Sequence, residues 1–148
     1  MSKKYLKKSM HAPDFLCEAS EYNNSFSRGI KVGFGGIAIL FISGTASINE
    51  KGITYCPDNF SGQVKRVYDN ITALLQSEGA DWNDVIKTRC YLKDMKYYKE
   101  FNDYRNGFYR EKKLNPFPAS VAIQATLCRP DLLIEIEATA ILRNPKED

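Results

Sequence analysis

A chain of 148 residues with 43% hydrophobic content is long enough for one domain with a substantial core, and its +3 net charge matters only once it is located. Lys3, Lys4, Lys7 and Lys8 fall in the first eight residues, which hold no acid, so removing those four charges from +3 leaves −1 for the rest. A body without basic excess argues against a nucleic-acid partner except through a mobile tail or local patch, and the N-terminal tip is expected to be solvated and disordered.

Residues 1–22 form a tail and lead-in without strong periodicity, and no element is assigned to them. From Ser25 the sequence reads as a strand, a glycine turn near Gly35-Gly36 and a strongly apolar strand over 37–42. Ser43-Gly44-Thr45 is expected to end that strand; such small residues either admit a ligand close to the backbone or simply make a turn. A polar turn follows at 49–52. Phe60, Val64, Val67, Ile71, Leu74 and Leu75 have helical spacing, with Asp58 or Asn59 as N-cap and Gly79 as the stop. Residues 84–92 are strand-like. Asp94 opens a second helix whose stripe of Tyr97, Phe101, Tyr104 and Phe108 is expected to join the core.

The stretch 117–142 alternates apolar and polar residues on both sides of Arg129-Pro130-Asp131, which predicts a hairpin. Matching the apolar faces pairs Leu127 with Ile134 and Ala125 with Ile136, and centres a type I turn on Pro130-Asp131. The other face then gathers Gln124, Thr126, Glu135 and Glu137. Two readings of the glutamates stand: a solvent-facing side of the sheet, or a cleft in which burial raises the Glu135 carboxyl and prepares a general acid, with Cys128 and Thr126 nearby.

The element order predicts one α+β domain, two helices covering one face of a mixed, largely antiparallel sheet. The second face must then be solvated or buried against another subunit, and Glu135 lies on it. Cys17, Cys56, Cys90 and Cys128 are far apart with no CxxC, which fits neither a zinc ribbon nor a compact disulfide framework; reduced thiols are expected. His11 is the single histidine, which excludes histidine triads and multi-histidine metal sites and leaves no histidine in the body to serve as a nuclease base. The longest apolar run, 35–42, is too short to span a bilayer and no signal-peptide core follows the lysines, so a soluble cytoplasmic protein is expected.

Taken together, SGTASI at 43–48, Gln63 with DNI at 69–71, VIKTRCYLKDM, FNDY at 101–104 and RPDLLIEIEATA resemble the Rid superfamily, also called YjgF or L-PSP, over residues 25–142. The resemblance implies a chorismate-mutase-like, YjgF-like two-layer sandwich, a homotrimer with ligand clefts between subunits, and neither metal nor organic cofactor. The family's enamine/imine deaminases carry an arginine after Pro-Ala that grips the substrate carboxylate; here the triplet is Pro118-Ala119-Ser120, and serine cannot supply that bidentate charge. Ser43, Gly44, Asn102 and Glu135 match the family by motif. FISGTASI, YLKDM and LCRPDLLIEIEA also resemble the second half of chorismatases, where Cys128 and Glu135 fall on the active-site cysteine and the proton-donating glutamate.

The resemblance therefore implies hydrolytic action on a small anionic enol ether, enamine or imine, with Glu135 as proton donor, Cys128 and Ser120 as pocket wall, and Ser43-Gly44 as binding element. Arg28 or Arg129 are the candidate carboxylate partners, although an arginine before a turn proline also suits plain solvent exposure. Two alternatives are a 2-iminobutanoate or enamine deaminase despite the missing arginine, and a non-catalytic metabolite-binding trimer.

Overall fold

Six strands and two helices form two layers in the computed structural model, which describes residues 5–143. The solvated tip expected at the extreme N-terminus lies outside the described residues. The strands are β1 (Leu6–Ser9), β2 (Gly29–Phe34), β3 (Ile37–Ala46), β4 (Val85–Leu92), β5 (Ala119–Gln124) and β6 (Ile134–Arg143), in one sheet ordered β1-β2-β3-β6-β4-β5. All pairings are antiparallel except β4 with β5. The predicted α+β architecture is the observed one.

Helix α1 (Phe60–Ser77) forms where the apolar period called for it. The Asn59 side chain accepts from the Gly62 N–H at 2.9 Å, satisfying one of the free donors of the first turn, and Gly79 takes φ 74° just beyond the end. Its apolar stripe, Val64, Val67, Ile71, Leu74 and Leu75, is fully buried against the sheet. Helix α2 (Tyr98–Glu111) follows a 3-10 turn at Met95–Tyr97 capped by Asp94. The aromatic stripe is core: Phe101 is buried, and Tyr104 and Phe108 meet the Tyr68 ring edge-on at 5.2 and 4.8 Å.

The hairpin does not form. β5 runs parallel to β4, with Arg89 opposite Val121, and β6 pairs with the other edge of β4 and with β3. Leu127–Ile134 and Ala125–Ile136 are therefore not partners; the Ala125 N–H donates instead to the Leu92 carbonyl at 2.9 Å, and residues 125–133 cross over the end of β4. Alternation reports which face a residue occupies and is silent about which strand lies alongside. The face assignment for β5 is also inverted. Ala122 packs toward the helices, whereas Val121 and Ile123 point to the open face with Arg89 and Tyr91, because that face is itself apolar and apolarity could not tell the two apart.

Two smaller differences bear on the site. β3 does not stop at Ser43-Gly44 but runs on to Ala46 through a register shift between Ile42 and Thr45. Residues 5–22 are part of the fold: β1 extends the sheet edge, Leu16 and Cys17 are buried, and Met10 packs on Gly29, where an added Cβ would lie 2.7 Å from its sulfur. A four-residue edge strand reading LKKS has no apolar period to betray it. Among the described residues no helix is long and apolar enough to cross a membrane.

Candidate functional site

A cleft of about 130 Å³ opens where the Gly44 bulge of β3, the start of β6 and the crossover meet the segment leading into β2. Glu135, Gly44, Cys128, Arg28 and Arg129 all line it, with Tyr22 and Phe26 forming an aromatic rim. Five of the residues singled out from sequence thus converge.

Each is placed by an identifiable device. Glu135 sits opposite Ala46 on one side and Tyr91 on the other, on the face away from the helices. Its carboxyl rests on Gly44: a Cβ there would overlap the Glu135 Oε1 and lie 3.0 Å from its Cδ, so only glycine leaves the space. Burial raises the Glu135 carboxyl above the usual range, and the neighbouring Glu137 charge adds to the rise. Glu137 is engaged elsewhere, accepting from the Tyr91 hydroxyl at 2.5 Å and lying 3.8 Å from Arg89.

Arg28 is buried, its Nε donating to the Cys17 carbonyl at 2.7 Å and its guanidinium 5.3 Å from the Tyr22 ring centre. Arg129 approaches the same ring at 5.1 Å and donates to the Gly52 carbonyl at 2.9 Å. Among the described residues neither arginine has a carboxylate partner, so both charges in the cleft are uncompensated. Burial also pushes the Tyr22 phenol up, so it remains protonated. Arg129 is consequently no free solvent arginine. Cys128 is exposed, at the mouth.

Two buried amides on α1 hold the floor. Gln63 donates to the Asp131 carbonyl at 2.8 Å and the Cys56 carbonyl at 3.0 Å, and accepts from the Leu133 N–H at 2.8 Å. Asn70 donates to the Ala46 and Ile48 carbonyls at 3.1 and 2.9 Å. Together they fix the crossover and the β3 exit on either side of Glu135. Polar residues inside a helix's apolar stripe were the available signal, and the motifs around Gln63 and Asn70 contain them.

The remaining candidates lie elsewhere. Ser43 is half-buried beside Gly44, its hydroxyl donating to the Ser27 carbonyl at 2.6 Å. Ser120 and Asn102 are on the helix side at the far edge of the sheet, both contacting Arg105. Arg105 and the rim residues Tyr22 and Phe26 carry no motif and were not singled out from the sequence. Among the described residues no three His, Cys, Asp or Glu lie together as a metal ligand set.

This sheet, with both helices on one face and a glutamate-bearing cleft on the other, defines an α+β domain of YjgF-like fold. The Endoribonuclease L-PSP profile matches residues 18–142, and the chain belongs to that family. A RutC family protein of Pyrococcus abyssi is 35% identical over 115 residues, covering 78% of this chain and 84% of that protein. The 2-iminobutanoate/2-iminopropanoate deaminase of Escherichia coli is 28% identical over 105 residues, covering 71% of this chain and 80% of that protein. The crystal structure of the E. coli YjgF gene product superposes with a TM-score of 0.74 at 26% identity, over 92% of this chain and 99% of that one.

Proposed function

We propose that the chain is a Rid-family hydrolase acting on a small anionic enol ether, enamine or imine, with Glu135 as general acid. The observation that carries this is a carboxyl raised by burial, seated on Gly44, in a cleft that also holds two uncompensated guanidinia. Arg28 and Arg129 hold the substrate carboxylate, and protonated Glu135 delivers its proton to the electron-rich carbon of the C=C–O or C=C–N unit. Water adds to the resulting oxocarbenium or iminium carbon. The adduct collapses to an alcohol or ammonia and a 2-oxo acid, and the proton from water returns to Glu135. For an imine the carbon is electrophilic already, and Glu135 protonates the nitrogen. The kinship with a protein named as an iminobutanoate deaminase favours including imines in the class.

Incubating the protein with chorismate, or with 2-iminobutanoate generated in situ, tests the proposal: turnover is expected, with at least a hundredfold loss in Glu135→Gln. Equal turnover in that variant refutes the acid role. Saturable binding without turnover favours the metabolite-binding alternative.

The proposal includes a homotrimer in which the open sheet face is buried. Phe41, Val121, Ile123 and Ile141 are 49%, 44%, 46% and 40% exposed there, a broad apolar surface of the kind subunits cover. Light scattering is expected to return about three times the 16.9 kDa chain mass. A stable monomer at micromolar concentration with ligand binding intact refutes both the trimer and a site completed by a neighbour.

A further inference from the structure

The segment before β2 sets an imidazole between a serine and a carboxylate. Ser9 closes β1, and its hydroxyl lies 2.7 Å from the His11 Nε2, while the His11 Nδ1 lies 2.8 Å from the Glu18 Oε1. A carboxylate only accepts, so Nδ1 carries the ring proton, Nε2 is bare, and the Ser9 hydroxyl donates to it. The hydrogen bonds therefore run in one direction, from serine through imidazole to carboxylate. A lone histidine in a stretch without periodicity is expected to leave no histidine triad; the fold corrects that expectation, because a triad needs one imidazole and β1 supplies the serine beside it.

Core anchors hold the three residues in place. Met10 and Ala12, on either side of His11, are buried. The Phe15 and Leu16 N–H groups donate to the Ala12 carbonyl at 3.0 and 3.1 Å, which turns the chain back, and buried Leu16, Cys17 and Ala19 fix the approach of Glu18. The Glu18 N–H is itself held by the Glu21 carboxylate at 3.1 Å. The His11 side chain is 51% exposed, so a substrate reaches the Ser9–His11 pair without any opening of the fold. Because the Met10 N–H donates to the Gly29 carbonyl at 2.9 Å, strand alternation turns the Ser9 and His11 N–H groups to the outer edge of the sheet, where they can stabilise a developing oxyanion. Ser9 and His11 precede residues 18–142, the stretch that the family profile matches, so this set is not part of that match.

We propose that Ser9, His11 and Glu18 form a second reactive site that cleaves small carboxylic esters, with Ser9 as nucleophile, His11 as base and Glu18 as the residue that positions the imidazole. The Ser9 Oγ bonds to the ester carbonyl carbon as its proton passes to the His11 Nε2, and the carbonyl electron pair moves onto oxygen. When the carbonyl re-forms, the alkoxide leaves and takes the proton from Nε2, giving an alcohol and acyl-Ser9. Water then adds in the same way, which releases the carboxylic acid and returns the proton to Ser9. None of these steps involves Glu135, and the proposal stands whether or not Glu135 is a general acid.

The test treats the full chain with a fluorophosphonate probe, from which a serine oxygen displaces fluoride, and maps the adduct by peptide mass spectrometry. Hydrolysis of p-nitrophenyl acetate is followed alongside. An adduct on Ser9 is expected, with labelling and hydrolysis lowered at least a hundredfold in Ser9→Ala and in His11→Ala. His11 is the only histidine, so its nitrogen-15 NMR signals report the tautomer directly. They are expected to show the Nδ1–H form, and Glu18→Gln, whose amide can donate to Nδ1, is expected to lose that preference and slow labelling at an unchanged melting temperature. A wild-type chain that takes no label, or takes it only elsewhere, overturns the site. Hydrolysis that survives Ser9→Ala but not His11→Ala makes the imidazole itself the nucleophile and overturns the serine's role. A tautomer and labelling rate indifferent to Glu18→Gln overturn the positioning role of Glu18.

Discussion

Replacing Gly44 by alanine separates site geometry from fold stability. The backbone there is outside the left-handed region that demands glycine, so alanine fits the chain path; its Cβ collides only with the Glu135 carboxyl, the far end of a flexible side chain. Glu135 is expected to rotate away at a cost of about 1 kcal/mol for a displaced rotamer. Once lifted into solvent the carboxyl loses the burial that raises it, and its titration moves down toward the ordinary glutamate range. With the acid misplaced and its raised titration lost, turnover falls by roughly 10²- to 10⁴-fold, the usual worth of general acid catalysis. Carboxyl-carbon NMR titration of Glu135, urea denaturation and a turnover assay together check this. An unmoved Glu135 titration, or a loss of several kcal/mol of stability, refutes the reasoning.

The raised Glu135 carboxyl also sets the sign of a pH effect on stability. Between its unfolded and folded values the native chain binds more protons, so stability falls as pH rises through that window, and Glu135→Gln removes the fall when melting is followed across it. Gln63→Ala leaves three backbone groups without their partner and is expected to cost about 3 kcal/mol at about 1 kcal/mol per hydrogen bond, measured by urea denaturation; a loss under 1 kcal/mol contradicts the clamp.

The helices, their caps and the core stripe were legible because a 3.6-residue period and an Asn59 cap are local signals. Strand neighbours were not. The segment around Pro130 has good turn chemistry and matched faces, yet β4 supplies two pairing edges and takes the place between β5 and β6. Glu135, Cys128 and Gly44 were legible by resemblance to motifs. Bringing Arg28 and Arg129 to one ring requires the fold of residues 17–22, which no pattern announced. Arg105 was invisible for a plainer reason: a polar residue on an exposed helix flank looks like solvent-facing charge until β5 is seen beside it.

β6 has a consequence for how the chain is made. Among the described strands it is the last in chain order and the only one hydrogen-bonded to both β3 and β4, so until it is in place β1-β2-β3 and β4-β5 are two fragments with unsatisfied inner edges. A chain emerging from the ribosome up to Leu133 therefore holds two aggregation-prone half-sheets and an incomplete core, and sheet closure waits for nearly the whole sequence. Ribosome-stalled chains ending before Ile134 are expected to be protease-sensitive throughout, and resistance should appear in one step once β6 clears the exit tunnel.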